Sequence, residues 1–76
     1  MHDPELDLGR RRLDLSVMDL WVEYFGLGGS ADADDLGAYL RGELDLDDAQ
    51  HNVVAHALNE RFWAVGGNHP IAYFPL

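Results

Sequence analysis

The chain has 76 residues and no cysteine, and its 14 acidic residues against five arginines give a formal charge of −9. One small domain is expected, whose core neither disulfides nor thiolate-bound metal can reinforce, and self-association is compatible with so small a core. Because phosphate groups repel an acidic surface, binding to nucleic acid or to an anionic membrane is disfavoured, and a protein with a basic surface is the expected partner.

Residues 1–15 are predicted to form a partly extended N-terminal arm. Leucine alternates with charge around Gly9, and this spacing gives no clean helical face. The cluster Arg10, Arg11 and Arg12 is expected to pair with the acidic segment, defined as residues 30–50. The alternative is that this cluster docks an acidic or phosphate-bearing partner.

The first helix is predicted near residues 17–27. Ser16 and Asp19 have the spacing of a capping box, and Gly28-Gly29 ends the helical pattern. The helix is apolar nearly all round and includes Trp21 among its aromatic residues. In so small a domain we expect part of such a helix to be an interface rather than core.

A second, shorter helix is predicted near residues 32–41, with Asp32, Asp34 and Asp35 in its first turn, where the helix dipole favours acids. The same segment shares the spacing of an EF-hand calcium loop. Leu36, however, has no side-chain oxygen at a position where the loop needs one. A helix is therefore preferred and no metal is expected, with an EF-hand-like module kept as an alternative.

The third and longest helix is predicted near residues 47–65. Its apolar side is expected to carry Val54, Ala57, Leu58, Phe62 and Val65, and its polar side Asn52, His56, Asn59 and Glu60.

Two features of this helix suggest functional roles. Trp63 projects among the polar residues, so it is either an interface anchor or is covered by the C-terminal segment. His56 and Glu60 have the spacing of a shared metal site, but with no obvious third ligand an ordinary surface pair is expected. Arg61 falls on the apolar side and is expected to reach a carboxylate of the acidic segment.

The remaining C-terminal residues, 68–76, are predicted to form an extended strap over a helical domain of residues 16–67, because prolines interrupt them. Ser16 and Ser30 are the only serines, and both have the setting of helix caps. No enzymatic activity is therefore expected.

Two segments, LWxxYFxLGG at residues 20–29 and ALNERF at residues 57–62, resemble a pattern in short acidic proteins of actinobacteria. The resemblance covers about residues 13–73. Those proteins have no assigned function, so the resemblance implies no site residues.

The sequence thus predicts an all-α fold: a small three-helix domain with irregular N- and C-terminal arms and no cofactor. No apolar run could span a membrane and no signal peptide is evident, which predicts a cytoplasmic location. The predicted function is that of a non-enzymatic regulatory or adaptor protein, for instance a transcription-associated factor. The expected partner-binding residues are Asp32, Asp34, Asp35, His56, Trp21 and Trp63.

A helix-turn-helix-like nucleic-acid-binding domain is the alternative of a different class, because three short helices are also typical of it. The charge opposes that alternative. A reading helix brings Arg, Lys, Asn or Gln to the groove, whereas the short helix here brings three aspartates.

Overall fold

A computed structural model describes residues 4–66 and 71–72, and these residues form four α-helices without a β-strand. The helices are α1 (Pro4–Arg12), α2 (Val17–Gly26), α3 (Ala33–Leu40) and α4 (Asp48–Ala64). The all-α class is confirmed, but the predicted count of three helices is too low by one. None of the described helices has the length and apolar character that crossing a membrane requires.

The segment predicted to be an extended arm contains helix α1. Pro4 takes the first helical position, where an N–H would have no partner within the helix, so its absence costs nothing. Glu5 and Asp7 lie in the first turn and three arginines in the last, which suits both ends of the helix dipole. The alternation of leucine with charge does not reveal this helix, because its buried residues are only Leu6 and Gly9, at i, i+3 spacing.

Each of the three predicted helices begins after a capping side chain, which is Ser16 for α2 as expected, Asp32 rather than Ser30 for α3, and Asp47 for α4. Ser16 Oγ accepts the N–H of Asp19 at 3.0 Å, and Asp19 Oδ2 in return accepts the N–H of Ser16 at 3.3 Å. Asp32 and Asp47 each accept the amide of the third residue beyond them, at 2.8 Å in both cases. Each cap satisfies an amide that has no partner within its helix, and so fixes where the helix begins.

Each described helix is followed by a residue with a positive φ angle. Gly28, Gly42 and Gly66 have φ of 97°, 80° and 81° after α2, α3 and α4. After α1 the same position is held by Asp14, at φ 56°. There the N–H of Leu15 donates to the Arg10 carbonyl and the N–H of Asp14 donates to the Arg11 carbonyl, both at 3.1 Å, which is the Schellman pattern.

Helix α4 contacts both α1 and α2, and α3 packs on the same two helices. Because α4 has neighbours on several sides, it does not divide into one apolar and one polar side as predicted. Asn59, predicted to face outward, is fully buried, and Val65, predicted to face the core, is 72% exposed. The buried residues of α4 are His51, Val54, Ala55, Ala57, Leu58 and Asn59.

Asn59 is buried because it binds the backbone of the C-terminal segment. Its Nδ2 donates to the Ile71 carbonyl at 3.1 Å, and the Ile71 N–H donates to its Oδ1 at 3.4 Å. Ile71 is itself buried and lies over Gly9, where an added Cβ would approach Ile71 Cδ1 to 3.2 Å. Ile71 thus packs on the core. The predicted extended strap comprises residues 68–76, of which the structure describes 71–72. The rest of that prediction, with the proposed cover for Trp63, lies outside the described residues.

We expect Asp14→Gly to stabilise the domain by about 0.5–1 kcal/mol, because glycine adopts a positive φ without the steric penalty of a Cβ. Asp14→Val should destabilise it by more than about 1 kcal/mol, since a β-branched residue tolerates this region least. Urea unfolding followed by circular dichroism measures both values. Equal stability of the two variants would contradict the left-handed conformation of Asp14.

We expect Asn59→Ala to destabilise the domain by about 2–4 kcal/mol, because both backbone groups of Ile71 would remain buried without a partner. Its matched control is Glu60→Ala, which removes only an exposed pair with His56 and should cost less than about 1 kcal/mol. Amide hydrogen exchange gives a second measure, since the Ile71 N–H should lose protection only in Asn59→Ala. Unchanged protection in that variant would refute the assignment.

Candidate protein-binding site

Helix α2 has one face in the core and another in solvent. Leu20 and Tyr24 are fully buried. Met18, Val22 and Phe25, at i, i+4 and i+7, are 56%, 59% and 59% exposed. The spacing places these three side chains in one row along the helix, with Trp21 beside them. We refer to Met18, Trp21, Val22 and Phe25 as the apolar face of α2.

Trp21 is held rigidly at one edge of the apolar face. Its ring stacks on Phe25 with centroids 5.1 Å apart and an interplanar angle of 26°. Its Nε1 donates to the Ala31 carbonyl at 3.0 Å, so the polar part of the indole is already satisfied by the loop before α3. The half-buried ring therefore keeps its position and presents apolar surface rather than an unpaired donor.

Acidic residues lie on both sides of the apolar face. On one side, Asp19 and Glu23 each lie about 100° round α2 from Met18 and Val22. Glu23 Oε1 there pairs with Arg61 at 2.9 Å.

On the other side, Trp21 contacts Ala31, the residue immediately before the acidic start of α3. Asp32, Asp34 and Asp35 are all exposed there. The apolar row therefore has acidic residues along one edge and an acidic turn beyond the other.

The loop that carries this acidic turn is fixed by a buried tyrosine. The Tyr24 hydroxyl donates to Gln50 Oε1 at 2.5 Å and accepts the N–H of Ala31 at 2.8 Å. Gln50 Oε1 also accepts the N–H of Ser30 at 3.0 Å. Gly29 lies directly against the ring, since a Cβ there would come within 2.3 Å of Tyr24 atoms. The sequence pattern predicts only that Gly28-Gly29 ends the helix, because the contact of Gly29 with Tyr24 depends on the fold.

The six predicted partner-binding residues do not form one cluster. Trp21 belongs to the apolar face of α2 and contacts Ala31, directly before the turn that carries the three aspartates. His56 and Trp63 are seven residues apart on α4 and share a face. Arg61 points to α2, and at about 100° per residue Trp63 and His56 point away from it. Trp63 is 51% exposed there, and His56 Nε2 lies 3.2 Å from Glu60 Oε1.

Three arginines pair with acids other than those expected. Arg10 Nε and an Arg11 terminal nitrogen contact the two oxygens of Asp7 at 2.8 and 2.9 Å, so these arginines bind within α1 rather than to the acidic segment. Arg61 binds Glu23, which also lies outside that segment. Spacing along α1 explains the first result, because i, i+3 and i, i+4 residues meet on a helix.

Arg41 is the one arginine of the acidic segment, and it pairs with Glu43 at 3.0 Å. The hydrogen bonds that Arg41 donates to Glu43, and then the charge of that carboxylate, raise the pKa of Arg41 above its ordinary value. With this arginine paired, the exposed aspartates at the start of α3 dominate the local charge.

The residues with EF-hand spacing do not form a calcium loop. Residues Ala33–Leu40 are helical, Asp32 caps them, and Leu36 and Gly37 are buried. Among the residues that the structure describes, no group of three or more His, Asp or Glu side chains is placed to hold a metal ion.

Comparison with models of known families, with curated proteins and with solved structures gave no significant match.

Gly29→Ala should destabilise the domain by about 1–3 kcal/mol or more, because its Cβ would overlap a ring that is fully buried and hydrogen-bonded. Gly26→Ala is the matched control, since nothing lies within 4 Å of its Cβ position and alanine favours the helix. Thermal melting should show a lower midpoint for the first variant and an equal or higher one for the second. A Gly29→Ala protein as stable as the control would exclude the packing described.

Proposed function

We propose that this chain is a small, acidic, non-enzymatic adaptor or regulatory protein of the cytoplasm that binds a basic protein surface through the apolar face of α2. The observation that carries the proposal is the exposure of Met18, Val22 and Phe25 in one row. The residues that the same helix buries in the core are Leu20 and Tyr24, so this row is not needed for the core. Contiguous apolar patches on soluble proteins commonly mark sites of interaction.

The charges around the face support a basic partner. The chain has a net charge of −9, and carboxylates border the apolar row on both sides. Charges at the rim of an interface mainly raise the association rate, while buried aromatic side chains supply most of the affinity. Phe25 is thus the expected anchor, and Asp34 and Asp35 are expected to steer the partner.

The same charges speak against the helix-turn-helix-like alternative. The exposed start of α3 carries aspartates, and its buried side is formed by Leu36, Tyr39 and Leu40. Arg41, at the end of α3, is paired with Glu43. A helix with this charge distribution would be repelled by the phosphates on either side of a DNA groove.

Capture of partners from an extract of the source cell, followed by mass spectrometry, tests the proposal. Phe25→Ser should lose a partner that the wild type binds, and Trp63→Ala should retain it, with both variants equally helical. Asp34→Asn with Asp35→Asn should weaken capture. The charge-matched control, Glu5→Gln with Glu60→Gln, should weaken it less.

Two results would contradict the proposal. Loss of the partner with Trp63→Ala but not with Phe25→Ser would move the site to the opposite side of α4. Sequence-specific binding to duplex DNA in a gel shift, unchanged by the aspartate substitutions, would favour the nucleic-acid alternative.

A further inference from the structure

We infer that the apolar face of α2 binds an amphipathic helix whose apolar stripe has a row of Lys or Arg on each side. This inference rests on the proposed function and specifies the chemistry of the partner.

The shape of the face favours a helix as the occupant. Met18, Val22 and Phe25 form a ridge along a ten-residue helix, which spans about 15 Å. Side chains spaced by four and three residues along one helix can pack into the grooves between side chains of a second helix. An extended strand would instead need free backbone donors and acceptors, and those of α2 are used within the helix and its caps.

The charge pattern decides which helix fits. Asp19 and Glu23 border one edge of the ridge; Glu23 is paired with Arg61, so Asp19 carries the remaining negative charge there. At the other edge Trp21 contacts Ala31, which precedes the acidic start of α3. A helix that laid its apolar stripe on the ridge would bring its flanking residues against both edges. Lys or Arg at those flanking positions would be attracted on each side, whereas Asp or Glu would be repelled.

Two other occupants fit less well. A second copy of the chain would bring two acidic borders together, and each copy carries a charge of −9. An anionic membrane surface would meet the same carboxylates with charge of the same sign.

Trp21 favours binding because it is already in place. Its ring is fixed by Phe25 and by the Ala31 carbonyl, so little side-chain freedom is lost when a partner covers it. An arginine in the flanking row would also find the exposed part of these aromatic rings within reach for a cation–π contact.

Three synthetic peptides of about 18 residues, or about five helical turns, test the inference. The first has a leucine stripe flanked on both sides by arginine. The second has the same composition shuffled so that no stripe forms, and the third has glutamate in place of arginine. Binding is followed by the fluorescence of Trp21 in a Trp63→Phe background, so that only the tryptophan on the apolar face reports.

The first peptide is expected to bind with a Kd in the micromolar range, and the shuffled peptide at least about tenfold more weakly. The glutamate peptide should not bind. Phe25→Ser, in the same Trp63→Phe background, should abolish binding of the first peptide. Added salt should weaken this binding without eliminating it, since screening acts on the flanking charges and not on the apolar contact.

Three outcomes would overturn the inference. Equal binding of the arginine and shuffled peptides would show charge attraction alone. Absence of binding by every peptide, while capture from extract still depends on Phe25, would leave the proposed function standing and exclude this kind of partner. Self-association in sedimentation velocity that Phe25→Ser abolishes would identify a second copy as the occupant.

Discussion

The position of Tyr24 is the constraint on which the other features of this domain depend. Its ring is buried against Gly29, and its hydroxyl joins Gln50 of α4 to the loop between α2 and α3. With Tyr24 fixed inward, the 3.6-residue period of α2 places Met18, Val22 and Phe25 outward. The same contact sets where the acidic start of α3 lies beside Trp21. One buried side chain therefore determines both the packing of the core and the composition of the exposed face.

The starts of α2, α3 and α4 could be predicted because each depends on a side chain and an amide three residues apart. Features that depend on distant residues could not. Helix α1 packs with Gly9 facing Leu58, Phe62 and Ile71, an arrangement that no local pattern reveals. The burial of Asn59 likewise follows from Ile71, twelve positions away. For the candidate site, the excess of apolar residues in α2 predicted an exposed face. Which side chains form it, and their distance from Trp63, required the fold.

The two segments that carry the actinobacterial resemblance combine residues with different physical roles. Leu20, Tyr24 and Leu58 are core residues, and Gly28 ends α2 at a positive φ. Arg61 joins α4 to α2 through Glu23, and Asn59 holds the C-terminal segment. Phe25 differs from all of these, because most of its ring is in solvent and its described ring contact is with Trp21. Substitution at Phe25 is therefore expected to disturb folding less than substitution at the core residues of either segment, and it tests the proposed binding most directly.

Gly9 and Ile71 lie close together in the fold although they are far apart in the sequence, so they are synthesised at different times. Leu6 and Gly9 leave the ribosome before α4 and Ile71, which form part of the surface that covers them. Chains are extended at about 5–20 residues per second, so α1 stays uncovered for several seconds on the nascent chain. During translation the apolar side of α1 is thus exposed to chaperones and to other nascent chains, and the domain closes only when synthesis has passed Ile71.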